Sequence, residues 1–201
     1  MNYSYPITLQ LRGKKVVIVG GGSVAQRKLS SLLESEAEIT IISPEISFDV
    51  PLNVKWIERC FLPEDVVGAF LVIAATNSKE TNQAVKKSVN EYQLLNIADD
   101  PEQSNFHLPS TLRRGGLSIA ISTSGASPIL ARKIRRNLEK DFDDHYGAYI
   151  EFLFNARERI LNEVTDKEGK KALLEEITDD RFLYMDHRVE ELQRLLSSYQ
   201  R

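Results

Sequence analysis

The sequence predicts an α/β protein, a doubly wound parallel sheet followed by a smaller middle region and a helical C-terminal domain. Three observations carry that expectation. Apolar, β-branched runs alternate with amphipathic polar stretches, a glycine run stands between the first such run and the first helix, and the patterning changes after Arg114.

The first run, Lys15-Val16-Val17-Ile18-Val19, is continuous and bounded by glycine, as a strand buried on both faces reads. From Ser23 to Glu34 the positions Val24, Leu29, Leu32 and Leu33 recur at helical spacing, and Ile39-Thr40-Ile41-Ile42 is again strand-like. That completes one βαβ unit. Further strands are expected at Val54–Ile57, Phe70–Ala75 and Leu94–Ala98, with a polar helix from about Lys79 to Asn90 and a last extended piece at Phe106–Pro109. With the glycine run after the first strand, the pattern is Rossmann-like.

A domain boundary falls at Arg113-Arg114-Gly115-Gly116, giving residues 1–114, 115–146 and 147–201 as three parts. In the middle part Leu117–Ile121 alternates with period two and a helix runs from about Pro128 through Leu138. A lone strand and helix cannot fold alone, so this region is expected to dimerise with a second copy. In the third part Tyr149, Phe152, Ala156 and Ile160 share a helical face, and a final helix carries Val189, Leu192, Leu195 and Tyr199.

The formal net charge of −3 argues against a general nucleic-acid binder, and a 42% hydrophobic composition suffices for a core. One cysteine, Cys60, forms no internal disulfide and reads as a packed or idle thiol. With no signal-peptide pattern and no apolar run of membrane length, a soluble, cytoplasmic protein is expected. His107, His145 and His187 lack metal-ligand spacing, so no metal site is expected, and no Walker-type lysine follows the glycines.

Gly20-Gly21-Gly22-Ser23-Val24-Ala25 has the spacing G-x-G-x-x-A between a strand and a helix. Gly20 permits the turn, Gly22 admits a pyrophosphate, Ala25 keeps the helix close to the sheet, and the N–H groups of Ser23 and Val24 face the anion. The chain is therefore expected to bind a dinucleotide. The second strand ends in Ser43-Pro44-Glu45 without the usual acid for the ribose; Glu45, or Ser43 with main-chain groups, is left to supply it. No Arg or Lys adjoins Ser43 to receive a 2′-phosphate, which favours NAD over NADP. Asp99 and Asp100 follow a strand at its ligand-binding end, where an acid can take up a proton, although Asp-Asp-Pro is equally a good turn. Ser127-Pro128 reads as an N-cap and first helical residue, opening a helix with Arg132, Lys133, Arg135 and Arg136. Such a cluster is either a solvated face or a cradle for carboxylates.

Taken in order, Leu9-Gln10-Leu11, Val17 through Lys28, Ala74-Ala75-Thr76-Asn77, Asn96 through Pro101 and Ser122 through Pro128 resemble the precorrin-2 dehydrogenase family, which includes the dehydrogenase/ferrochelatase module of sirohaem synthases. The likeness covers roughly residues 5 to 140. It implies a homodimer that oxidises precorrin-2 to sirohydrochlorin with NAD, in which Asp99 matches the family's active-site aspartate and Ser127 a serine near the substrate pocket. It also implies Thr76 and Asn77 beside the cofactor, and gives Arg132 and Arg135 a polycarboxylate tetrapyrrole to bind. No family motif can be matched from about Gly147 onward. Dehydrogenation alone is expected; a bifunctional dehydrogenase and ferrochelatase, or a non-catalytic NAD-sensing module, are the alternatives.

Overall fold

The computed structural model describes residues 4–199, in two compact units that divide between Leu108 and Pro109. The first unit contains β1 (Lys15–Val19), α1 (Ser23–Ser30), β2 (Glu38–Ile42), β3 (Lys55–Ile57), β4 (Leu71–Ala74), α2 (Lys79–Ser88) and β5 (Leu94–Ile97). The five strands are all parallel, in the order β3-β2-β1-β4-β5. The order reverses between β1 and β4, and ligands of such sheets bind beyond the carboxyl ends of the strands at that switch.

The β1 residues Val16 through Val19 are at most 1% exposed, and alternation sends them to opposite faces. Val16 and Ile18 join Ala25 and Leu29 of α1 on one side, while Val17 and Val19 join Val85 of α2 on the other. The sheet is thus covered on both faces, which is why its strands read as continuous apolar runs.

The first helix is shorter than its periodicity predicts. The hydroxyls of Ser30 and Ser31 donate to the carbonyls of Gln26 and Lys28, competing with helical bonding, and a 3-10 turn follows at Leu33–Ser35 before Glu36 turns left-handed at φ 54°. Val54, Phe70, Ala75 and Ala98 lie just outside their strands, and α2 stops at Ser88. The segment expected to be extended at Phe106–Pro109 forms no strand. Instead, residues 104–106 cover the outer edge of β5: Ser104 Oγ accepts from Ile97 N, Asn105 Oδ1 accepts from Leu95 N, and Asn105 N donates to Leu95 O.

Beneath the sheet, Asp65 is 5% exposed at its side chain and is gripped by both terminal nitrogens of Arg59, at 2.6 and 2.8 Å, and by Leu62 N at 2.8 Å. The Arg59 hydrogen bonds hold its carboxyl below the usual aspartate range, against the opposing effect of burial. A depressed folded-state pKa contributes stability above the unfolded value, about 3.9, which is lost as pH falls through the folded value. Asp65→Ala is therefore expected to cost about 1–3 kcal/mol at neutral pH and less below about pH 4. Urea unfolding of both proteins at pH 7 and pH 3 measures this.

The second unit opens with β6 (Ser110–Arg114) and β7 (Leu117–Ile121), an antiparallel hairpin. Ser110–Arg114, which the sequence reading placed in the first domain without a strand of its own, pairs here with Leu117–Ile121. Gly115 turns the hairpin at φ +54°, where its would-be Cβ lies 3.0 Å from the backbone of Gly147. There follow α3 (Pro128–Asp141), α4 (His145–Glu163), α5 (Lys167–Glu176), α6 (Asp180–Leu183) and α7 (Arg188–Tyr199). Tyr149, Phe152, Ala156 and Ile160 form the buried face of α4, packed with Leu173, Ile177 and Phe182. On α7 the buried face is Leu192 and Leu196; Val189 and Tyr199, expected on it, are 59% and 46% exposed. Helices α5 and α6 were not anticipated, being short and rich in charge.

Candidate functional site

The turn after β1 is shaped by backbone against backbone. Gly20 sits at φ +125°, donates to Ile42 O at 2.9 Å, and leaves no room for a side chain beside the Ala75 carbonyl at the end of β4. At Gly21 a Cβ would collide with the Glu45 carbonyl, a tighter restriction that the motif spacing did not reveal because it depends on the loop after β2. Gly22 faces open space. It is also the N-cap of α1 and offers no side-chain cap, so the first N–H groups of the helix remain available to an anion.

These residues line a cleft of about 510 Å³ at the carboxyl ends of β1, β2 and β4. The cleft takes in Gly20, Gly22, Ser23, Val24, Ser43, Pro44, Glu45, Thr76 and Asn77, the residues that the motif and the family resemblance assign to the cofactor. Ala25 is fully buried beneath it and packs α1 on the sheet. Sequence reasoning missed Gly21, Ser47 and Phe61, and also Cys60, which lines the cleft and is exposed, so that of the packed and idle readings the packed one falls. Cys60 and Phe61 follow β3 and carried no motif of their own.

Thr76 is held by buried Asn82: its hydroxyl donates to Asn82 Oδ1 at 2.8 Å, and Asn82 Nδ2 donates to Thr76 O at 3.1 Å. Ser78 caps α2 by accepting from Thr81 N. The floor of the cleft is thus fixed by the helix that follows β4.

Asp99 and Asp100 part company. Asp100 caps a 3-10 turn, with Oδ1 accepting from Gln103 N at 3.2 Å and Oδ2 engaged by the Gln103 amide. Asp99 is exposed. Because Ala74 pairs in register with Ile97, Asp99 stands as far past β5 as Thr76 stands past β4, on the same edge of the sheet.

In the second unit, Ser127 caps α3 by accepting from Leu130 N at 3.1 Å, after a turn with Ser124 and Gly125 at φ 50° and 82°. Arg132 and Arg136 are exposed one helical turn apart, whereas Arg135 is half-buried and ion-paired with Glu139. Among the described residues no group of three or more His, Cys, Asp or Glu is placed to hold a metal ion, and no helix is long and apolar enough to cross a membrane.

Three family models cover nearly the whole chain: NAD(P)-binding over residues 7–110, the sirohaem biosynthesis protein central region over 114–140, and the SirC C-terminal domain over 146–188. A precorrin-2 dehydrogenase from Priestia megaterium is 35% identical over 89% of this chain and 91% of its own length. The chain belongs to the precorrin-2 dehydrogenase family. Another precorrin-2 dehydrogenase, from Bacillus subtilis, is 34% identical over 77% of this chain and 98% of its own length. The solved structure of SirC, precorrin-2 dehydrogenase, superposes with a TM-score of 0.84 at 32% identity, over 98% of this chain and all of the other. Siroheme synthase 3 of Aeromonas hydrophila is 38% identical, but the match spans 34% of its length. The helical C-terminus, in which no family motif was legible, therefore also belongs to the family, and matches the part named for SirC.

Proposed function

We propose that this chain oxidises precorrin-2 to sirohydrochlorin with NAD, in sirohaem biosynthesis. The observation that carries the proposal is a glycine-walled cleft whose sheet edge also bears the exposed Asp99, in a chain that matches named precorrin-2 dehydrogenases over most of its length. The cleft suits NAD by its own geometry. Gly22 leaves space over uncapped N–H groups, and Ser43, Pro44, Glu45, Thr76 and Asn77 stand along the extended groove that a dinucleotide needs. When bound, NAD supplies the acceptor for the hydride that leaves the macrocycle.

The protein's part is to orient both partners and remove a proton. Asp99 is the base in this reading. Ser127 and the α3 cations contact the substrate's carboxylates, with Arg132 more important than Arg135 because Glu139 already occupies the latter. Arg132→Ala is expected to raise KM for precorrin-2 about tenfold with kcat nearly unchanged, and Arg135→Ala to raise it less, as charge-assisted bonds of this kind are worth about 1.5–3 kcal/mol at most. Steady-state kinetics on the two variants decides the order.

The dimerisation region in this proposal is the β6–β7 hairpin with α3, residues 109–146, which follows the nucleotide-binding unit ending at Leu108 and precedes the helical domain from 147 onward. Support comes from the two-stranded β6–β7 sheet, too small to be stable by itself, and from Ile129 and Leu130, which are 72% and 48% exposed on α3. Light scattering behind size exclusion should report a homodimer; a monomer would remove this part. The reaction is assigned to the cytoplasm, where the single exposed thiol of Cys60 stays reduced.

The test is anaerobic incubation with precorrin-2 and NAD, followed by the absorbance of NADH and of sirohydrochlorin. Equal appearance of both is expected, and no NADH would refute the proposal. Adding Fe²⁺ afterwards examines iron insertion, which is not part of the activity proposed.

A further inference from the structure

We infer that Glu45 selects NAD over NADP, and that Ser43 acts as the positioning residue for it. The inference rests on the reading of the cleft as an NAD site. In sheets of this kind the residue ending the second strand is commonly an acid that hydrogen-bonds the ribose 2′-hydroxyl. Here that position is Ser43, only 7% exposed, and its polar groups are engaged inside the protein. Its hydroxyl donates to Glu45 O at 2.6 Å, its N–H donates to Ile57 O at 3.3 Å, and its carbonyl accepts from Trp56 Nε1 at 2.9 Å.

Those bonds bend the chain so that the next acid arrives two residues later. The Glu45 carbonyl is pressed against Gly21, and Ser47 returns to the same glycine, its N–H and hydroxyl donating to Gly21 O at 2.9 and 3.1 Å. The loop is therefore fastened to the glycine turn on both sides of Glu45. Glu45 is exposed and lines the cleft, and among the lining residues it is the one that carries a charge.

A carboxylate at that place can accept two hydrogen bonds from a ribose diol. A 2′-phosphate would instead bring a charge near −2 beside it, with no Lys or Arg on the cleft wall to compensate. Discrimination thus comes from one repulsive group, held in place by a serine where the acid itself would ordinarily stand.

The same geometry gives a counter-intuitive expectation for Ser43→Asp. It installs an acid at the usual strand-end position, yet the new carboxylate would be buried against the Glu45 carbonyl in place of the hydroxyl donor, and NAD binding should weaken. The experiment is fluorescence titration of the full chain, its Glu45→Gln variant and its Ser43→Asp and Ser43→Ala variants with NAD and with NADP, alongside thermal melting to verify folding. Glu45→Gln is expected to weaken NAD binding about tenfold without weakening NADP, so that the preference for NAD shrinks at least about tenfold. Ser43→Ala should shrink the preference as well, an effect that a merely structural serine would not produce. An unchanged ratio in Glu45→Gln, or tighter NAD binding in Ser43→Asp, would overturn the inference. Wild-type protein that binds neither nucleotide would instead remove the NAD site itself, and the inference with it.

Discussion

Asp99→Asn should lower the rate of NADH formation from precorrin-2 about 10²- to 10⁴-fold, the usual worth of a positioned general base, while NAD affinity changes less than about twofold. The amide keeps the size of the side chain and removes its basicity. Asp99 is exposed in the turn that follows β5, so its replacement disturbs no packing. Its neighbour gives the control. Asp100→Ala removes a cap that holds the Pro101–Gln103 turn, and is expected to cost about 0.5–2 kcal/mol of stability with little direct effect on the chemistry. Single-turnover measurements with melting curves separate the two, and a fully active Asp99→Asn protein would take this residue out of the reaction.

The second large effect divides the three consecutive glycines. Gly21→Ala places a methyl group on the Glu45 carbonyl, where backbone must move, so both stability and NAD binding are expected to suffer, stability by about 1–3 kcal/mol. Gly22→Ala meets nothing within 4 Å in the protein and should leave the melting temperature unchanged. It nevertheless fills the space through which a diphosphate approaches the α1 N-terminus, and NAD affinity should fall at least about tenfold, the equivalent of about 1.4 kcal/mol. A Gly22→Ala protein that melts early but binds normally would reverse the assignment.

Much of the first unit was legible because its strands are buried on both faces. Uninterrupted β-branched runs at Val16–Val19, closed by Gly20, and at Ile39–Ile42, closed by Ser43-Pro44, can hardly be anything else. The glycine motif gave the position of the cleft, whereas the role proposed for Asp99 rests on the family resemblance and not on its place in the turn. What escaped were features created by tertiary contact. The importance of Gly21 exists only because the loop after β2 lies on it, and Cys60 and Phe61 reach the cleft because β3 ends beside β2. Ser110–Arg114 is a strand by virtue of its partner, Leu117–Ile121, and its polar composition does not announce it. In α7 the expected stripe of Val189, Leu192, Leu195 and Tyr199 holds at Leu192 and in part at Leu195, whereas burial in the α4 cluster selects Leu196 in place of Val189 and Tyr199.

The bonds within the Ser43–Ser47 loop, and those from Ser47 to the glycine turn, join protein to protein. The loop that carries Glu45 and the turn that carries Gly20, Gly21 and Gly22 are thereby one mechanical piece, so that a substitution in either is felt along the whole of this cleft wall.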